Sequence, residues 1–462
     1  MFLMRNKLVL FITGCFALLL SSCLDNEEIG DYEIVKNCQI NSFQLSHDSV
    51  PGLDTVKFTI DQLSGRIFNI DSLPYGTELE KVVCKMTTAN GMAVTGIEVS
   101  PEAYADSSYY LKDLTDSIDF SAPVKIVVHS YDQLTTKVYM ARVNIHQVVP
   151  DSMVWGVYDS QMIGVTIKEQ KVVPFKHAAV DSYFMYVKPA GQDKPYQLYH
   201  APASEPKDCK QLELKGLPAD GVIISQITEY EDALYVPSLD GKLYCSIDGM
   251  TWSVVEKAPT VKYLLGSVDE AKKQVSALAA IIERNGKQIF ASMRADSTWH
   301  DGGEVPAEFP VKGFGNLKYE AMYHEYLMVA GGRTSSNKLV NTTWSTMDGC
   351  LWANMAEDNN IVSKREGAML INYDEKFMLI GGVDESNKAL KDMYQSIDYG
   401  INWTKIDTLV TLPSNYAARG FSSVVVDDDN NVNIFGGKVN ASSNDMNDLW
   451  RGRINRLIPK KD

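Results

Sequence analysis

The feature that most constrains this chain is a repeat. Three Gly-Gly pairs, Gly331-Gly332, Gly381-Gly382 and Gly436-Gly437, each close an apolar run, and they lie 50 and 55 residues apart. A polar loop follows each pair, and then a segment carrying an aromatic: Trp344, Tyr394 and Trp450. A second marker keeps the same period. Trp252, Trp299, Trp352 and Trp403 are 47, 53 and 51 residues apart, and three of them follow a turn built on Asp248, Asp348 or Asp398. A period of this length implies one supersecondary unit per repeat, with neighbours burying each other's faces. In such turns Asp accepts backbone N–H groups and Gly supplies a positive φ, so these acids are expected to staple turns rather than to catalyse.

The run Leu327-Met-Val-Ala-Gly331-Gly332 and its two counterparts resemble the blades of kelch-type propellers. Ser396-Ile-Asp398-Tyr-Gly400-Ile-Asn-Trp403 resembles the Asp-box of sialidase-like propellers; residues 246–252 and 346–352 are versions one residue shorter, and residues 292–299 a degenerate one. The resemblance implies a six-bladed β-propeller over residues 150–462, with third-strand aromatics Tyr199, Tyr244, Phe290, Trp344, Tyr394 and Trp450. The last blade stops soon after residues 448–454. Residues 152–158 are therefore expected to supply its outer strand and close the ring, which removes a free sheet edge.

Residues 33–149 also read as strands. Residues 38–45, 55–60 and 81–86 alternate apolar and polar side chains, with breaks at Pro51-Gly52, Ser64-Gly65, residues 74–76 and Asn90-Gly91. The ending, Asp119-Phe-Ser-Ala-Pro-Val followed by residues 136–145, resembles the Ig-like domains of secreted Bacteroidetes-type proteins, although Tyr139-Met-Ala-Arg-Val143 departs from their Tyr-x-Val-x-Val run. The resemblance implies an Ig-like β-sandwich acting as a spacer. The expected fold class is therefore all-β: an Ig-like sandwich, then a six-bladed propeller. Cys38 and Cys84 either pair in an oxidising compartment or stand as buried thiols. No cysteine sits in a CxxC pair, so neither a metal site nor a cofactor is expected.

The amino-terminal segment has the layout of a signal peptide: Arg5 and Lys7 precede an apolar stretch too short to span a membrane comfortably. It ends Leu20-Ser21-Ser22-Cys23, which resembles the bacterial lipobox, and an acidic stretch with Asp25, Glu27 and Glu28 follows. The resemblance is to Bacteroidetes-type surface lipoproteins. It implies cleavage after residue 22, diacylglycerol on Cys23, a tether over residues 23–32, and a place in the cell envelope, on the outer membrane. Attachment to the membrane is then through the lipid anchor alone. The net charge is −15, and −17 once residues 1–22 leave. Phosphate backbones repel so acidic a chain, and nucleic acid is excluded as a partner.

Lys318, Arg365 and Arg419 each stand three residues before Ala321, Ala368 and Ser422, read as the apolar starts of inner strands, and Lys262 has the same offset before Leu265. Equivalent blade positions converge on the propeller axis. These cations are expected to ring the channel on the Gly-Gly side, with Tyr263, Tyr319 and Tyr416 beside them. Such a ring suits an acidic glycan or an acidic peptide. The competing reading is structural: the side chains cap carbonyls or pair with acids such as Glu320 and Glu366. No HExxH, GxSxG, Walker or GxGxxG motif occurs. The function expected is therefore a non-enzymatic binding or scaffold protein. The alternative is a propeller glycoside hydrolase or lyase, which needs two acids within about 5–10 Å of each other. The acidic run at residues 427–431 lacks calcium-loop spacing and reads as a hairpin turn.

Overall fold

In the computed structural model, which describes residues 37–88, 97–101, 109–110, 117–130, 133–191, 195–271, 274–356 and 361–456, the alternation read in the sequence becomes strands. The leader, Cys23, the tether and the Asn90-Gly91 turn lie outside the described residues. Among the described residues no helix is long and apolar enough to cross a membrane. The chain divides into two compact units between Pro150 and Asp151.

In the first unit, Ile40–Ser46, Val82–Thr88 and Ser117–Ile118 form one sheet. Phe58–Asp61, Arg66–Asn69, Thr136–Arg142, Val124–His129, Ile97–Pro101 and Tyr109–Tyr110 form the other, in that order. The period of two decides which residues go inside. In Val82–Thr88, Val82, Cys84 and Met86 are buried while Lys85 and Thr87 are exposed. Ile40, Leu45 and Cys84 from one sheet meet Ile67, Ile126 and Tyr139 from the other in a single core. The fully buried Tyr139 hydroxyl donates to Gln62 Oε1 at 2.6 Å and accepts the Ile40 N–H at 3.2 Å, so no polar atom is stranded there. Cys38 and Cys84 are buried and form no disulfide with each other; Cys38 Sγ donates to Thr135 O at 3.5 Å, and burial pushes the Cys84 thiol up to about 12.

Among the described residues the second unit holds six four-stranded antiparallel sheets. Five are meanders whose strands follow in chain order. Their innermost strands are Ile167–His177, Thr228–Tyr230, Val261–Val268, Gly315–Ala321 and Met369–Tyr373. The sixth takes Ser423–Val426, Val432–Phe435 and Leu449–Ile454 from the end of the unit and adds Met153–Asp159 as its outer strand. The segment expected to close the last repeat therefore does so. Trp155 on that strand donates its indole N–H to Val410 O at 3.2 Å.

Apolar faces of neighbouring sheets meet in successive cores. One joins Phe184 and Tyr186 of the first sheet to Leu234, Val236 and Trp252 of the second. Another joins Phe435 and Leu449 of the sixth to Tyr183 and Met185 of the first. Polar side chains strap inner strands together near the axis. Val172 N–H donates to Ser423 Oγ at 2.8 Å, Leu264 N–H to Gln226 Oε1 at 3.0 Å, and Asn316 Nδ2 to Leu265 O at 2.8 Å.

Candidate functional site

The repeated aspartates are the most conspicuous acids of the second unit. Asp248 Oδ1 accepts the N–H groups of Met250 and Thr251 at 2.8 and 2.7 Å and the Ser246 hydroxyl at 3.0 Å. Asp348 holds the N–H groups of Cys350 and Leu351, both at 2.9 Å, and Asp398 holds Asn402 N–H at 2.9 Å. Burial works against the charge of Asp248, but these backbone bonds outweigh it and keep the carboxyl below the usual range. Trp252 then packs edge-on against Tyr186 of the preceding sheet, 5.7 Å between rings. The aspartates are engaged in turns and the Trp252 ring in packing.

The two arginines expected to ring the channel take a different place. Arg365 is 0% exposed. Its Nη1 donates to Asp392 Oδ1 at 2.6 Å and to Gly381 O at 2.9 Å, and its Nη2 to Asp392 Oδ2 at 3.0 Å. Arg419 repeats the geometry one sheet later, with Asp448 at 2.6 and 3.0 Å and Gly436 O at 2.9 Å. Their backbone carbonyls accept the N–H of the second glycine of the preceding sheet: Gly332 to Arg365, and Gly382 to Arg419. Each arginine thus joins the Gly-Gly corner of its own sheet to that of its neighbour. The expectation that Arg365 and Arg419 face a ligand is corrected: both are buried, and bidentate acids occupy their guanidinium groups.

Lys318 and Lys262 do not belong to that set. The bridges Lys312↔Arg333, Glu366↔Val383 and Gly420↔Lys438 align the lead-ins of three sheets and place Val311, not Lys318, at the arginine position. Lys318 sits inside Gly315–Ala321, and Lys262 inside Val261–Val268. The offset failed because the fourth inner strand exposes Asn316, Lys318 and Glu320 at alternate positions, so its true start at Gly315 carries no apolar run. Lys318 Nζ donates to Asp269 at 2.7 and 2.8 Å, and Lys262 pairs with Glu283 at 2.8 Å.

The tyrosines are packing residues too. Tyr319 is buried, stacks on Tyr326 and Tyr399, and shares a 3.0 Å hydrogen bond with Ser345. Tyr416 is buried beneath the Arg419 guanidinium, 4.4 Å from ring to Cζ. Tyr263 is half-buried against the core between the third and fourth sheets.

A cavity does lie where the inner strands converge. It measures about 440 Å³ and is lined from five sheets, by Lys171, Ser225, Gly266, Asn316 and Val424 among others. A wider space of about 520 Å³ adjoins it through shared Pro174, Glu229, Val425 and Val426. That opening lies at the turns joining inner to second strands, beside Lys176, Asp181, Asp232, Asp427 and Asp428. It is on the side of the aspartate turns, opposite the Gly-Gly loops where the sequence reading placed a ligand. Asp427 is tied down by Asn431 and Asn433, as the hairpin reading anticipated. Burial raises the Glu229 carboxyl, and Lys318 at 3.9 Å only partly offsets it. Within the described residues no group of three or more His, Cys, Asp or Glu side chains is placed to hold a metal ion.

Residues 149–462 match the DUF6242 beta propeller domain, and residues 35–143 match the N-terminal domain of unknown function that carries the same number. The chain belongs to the DUF6242 family. Its second unit is a β-propeller and its fold all-β. No curated protein matches the chain. Among solved structures, one described as the structure of YjhT is similar over 63% of this chain and 96% of its own, at 10% identity and a TM-score of 0.44.

Two features of the DUF6242 propeller escaped sequence reasoning. The first is Lys171, a half-buried lysine on the innermost strand of the first sheet. The charged run Lys168-Glu169-Gln170-Lys171 between Ile167 and Val172 marks the spot, but strand periodicity does not say which of these faces the axis. The second is Asp445. At the seam between the sixth and first sheets its carboxylate takes the Gly437 N–H, the role that arginine carbonyls play elsewhere.

Proposed function

We propose that this chain is an exported, lipid-anchored, non-enzymatic binding protein whose ligand sits in the central channel of its propeller. In this reading the six sheets are six blades, closed by the strand Met153–Asp159. The first unit is an Ig-like spacer that holds the propeller away from a membrane anchor at Cys23, on the outer membrane of a Bacteroidetes-type cell envelope. The observation that carries the binding role is the cavity of about 440 Å³, where inner strands of five sheets converge and open to solvent on the turn side. Its volume is that of a small-ligand pocket.

A glycan and peptide array probed with protein lacking residues 1–23 tests the reading. Val426→Trp fills the throat shared by the two spaces and should abolish any array signal while circular dichroism stays unchanged. A signal equally strong in that variant contradicts a channel site.

One observation favours the second reading, a propeller glycoside hydrolase or lyase. Glu229 has a carboxyl raised by burial and lines both spaces, with Asp232 close in the turn. Under that reading Glu229→Gln loses turnover of an array-positive glycan while still binding it. Under the preferred reading the glycan is recovered intact from the wild-type protein.

A further inference from the structure

We propose that Lys171 and Ser225 form an anchor for a small organic carboxylate inside the propeller channel, an assignment that rests on the channel reading above. Nearly every other polar group around that cavity already has a partner. Asn316 Nδ2 donates to Leu265 O, Thr228 Oγ1 to Gln226 O at 3.1 Å, and Ser267 Oγ to Glu229 O at 2.8 Å. Gln226 donates to Val311 O and accepts from Leu264. Lys318, the other lysine lining this space, is held by Asp269. Among the described residues no hydrogen bond or ion pair engages the Lys171 ammonium or the Ser225 hydroxyl, and both line the same cavity.

A lysine without an acid in such a place is costly. Burial disfavours the charged form, and it lowers the Lys171 ammonium below the usual lysine range with no acid offsetting it. Lys188, Lys262, Lys287 and Lys318 of the same unit, by contrast, each pair with a carboxylate. An anion seated against Lys171 restores the missing partner. Its charge is set by what surrounds it: the Lys171 ammonium faces a channel whose opening carries Lys176 but also Asp181, Glu229, Asp232, Asp427 and Asp428, so acids outnumber bases there. A single negative charge is balanced by Lys171, whereas the second charge of a dianion meets an opening in which acids outnumber the one lysine. The ammonium donates to one carboxylate oxygen and the Ser225 hydroxyl to the other.

Calorimetric titration of the full chain with glucuronate, glucose and glucose 6-phosphate tests the anchor. The expectation is that glucuronate binds best, and that Lys171→Met weakens it by about tenfold or more, down to the level of glucose. Lys171→Arg retains most of the affinity. Because Lys171→Met removes an uncompensated charge, its melting temperature is expected to equal or exceed that of the wild type, which separates lost binding from lost folding. The proposal is overturned if glucose binds as well as glucuronate, if glucose 6-phosphate binds better, if Lys171→Met leaves glucuronate binding unchanged, or if none of the three binds. Val426→Trp separates loss of the channel from loss of the lysine contact. Glucuronate binding lost in Val426→Trp but kept in Lys171→Met leaves the channel and removes the lysine. Binding untouched by either variant removes both.

Discussion

Arg419 grips Asp448 through both terminal nitrogens, at 2.6 and 3.0 Å, with the arginine 1% exposed. Two sheets earlier the same two positions hold Val311 and Thr342. There the Trp344 indole donates to Thr342 Oγ1 at 3.1 Å, as the Trp450 indole donates to Asp448 at 2.9 Å. An ion pair and an apolar–hydroxyl pair thus fill one architectural role. Removing one partner of a buried pair strands the other charge, so Arg419→Ala and Asp448→Ala are each expected to cost about 3–5 kcal/mol. Arg419→Val with Asp448→Thr copies the fourth sheet and is expected to recover most of that loss. Denaturant unfolding of the full chain measures it. A double variant no more stable than either single one contradicts the equivalence.

Closure of the ring is separately testable. Met153–Asp159 covers the edge of Leu449–Ile454, with Met153 packed into the core of the fifth and sixth sheets. Deleting residues 150–160 exposes that edge and empties part of the core, so the melting transition of the propeller is expected to fall and broaden. An unchanged transition contradicts closure by this strand.

The seam residue Asp445 gives a pH dependence of definite sign. It is 8% exposed, and burial pushes its carboxyl up to about 7, against the Gly437 N–H, Lys438 and Gln170; Glu169 pushes the same way as burial. Between about pH 4 and pH 7 the folded chain therefore holds a proton that the unfolded chain has released. Stability from this group is full below pH 4, falls as pH rises to 7, and is level above. Asp445→Asn is neutral throughout and is expected to melt several degrees higher than wild type at pH 8, with that decline removed. A variant melting lower at pH 8 contradicts the assignment.

Gly249 shows why the aspartate turns need glycine. Its φ is +71°, and a Cβ there lies 2.6 Å from the Phe184 ring of the preceding sheet. Gly249→Ala therefore meets backbone strain and a clash together, and a loss of more than about 1 kcal/mol is expected from chemical denaturation. A neutral result contradicts tight packing between the first two sheets.

The fold was largely legible because its markers are local. Gly-Gly corners, aspartate turns and third-strand aromatics each report on their own repeat, and together they mark the period and leave the last repeat short of a strand. The site was less legible because it is made by convergence. Arg365 and Arg419 do recur at one place in successive sheets, yet the acids that bury them, Asp392 and Asp448, sit 27 and 29 residues further on, at a distance no short motif spans. Lys318 joined that set only through a misread strand start, since a strand exposed at every second residue shows no apolar run. Lys171 was missed for the opposite reason. A charged residue on an inner strand looks like any solvent-facing one until the other strands close around it.

The proposed function places the ligand in the channel and not on the Gly-Gly face. A crystal of the chain soaked with the strongest ligand from the array checks this. Density is expected in the space lined by Lys171, Ser225, Gly266 and Val424, with an acidic group against the lysine. Density confined to the Gly-Gly loops or the outer strands, with the channel filled only by water, would contradict it.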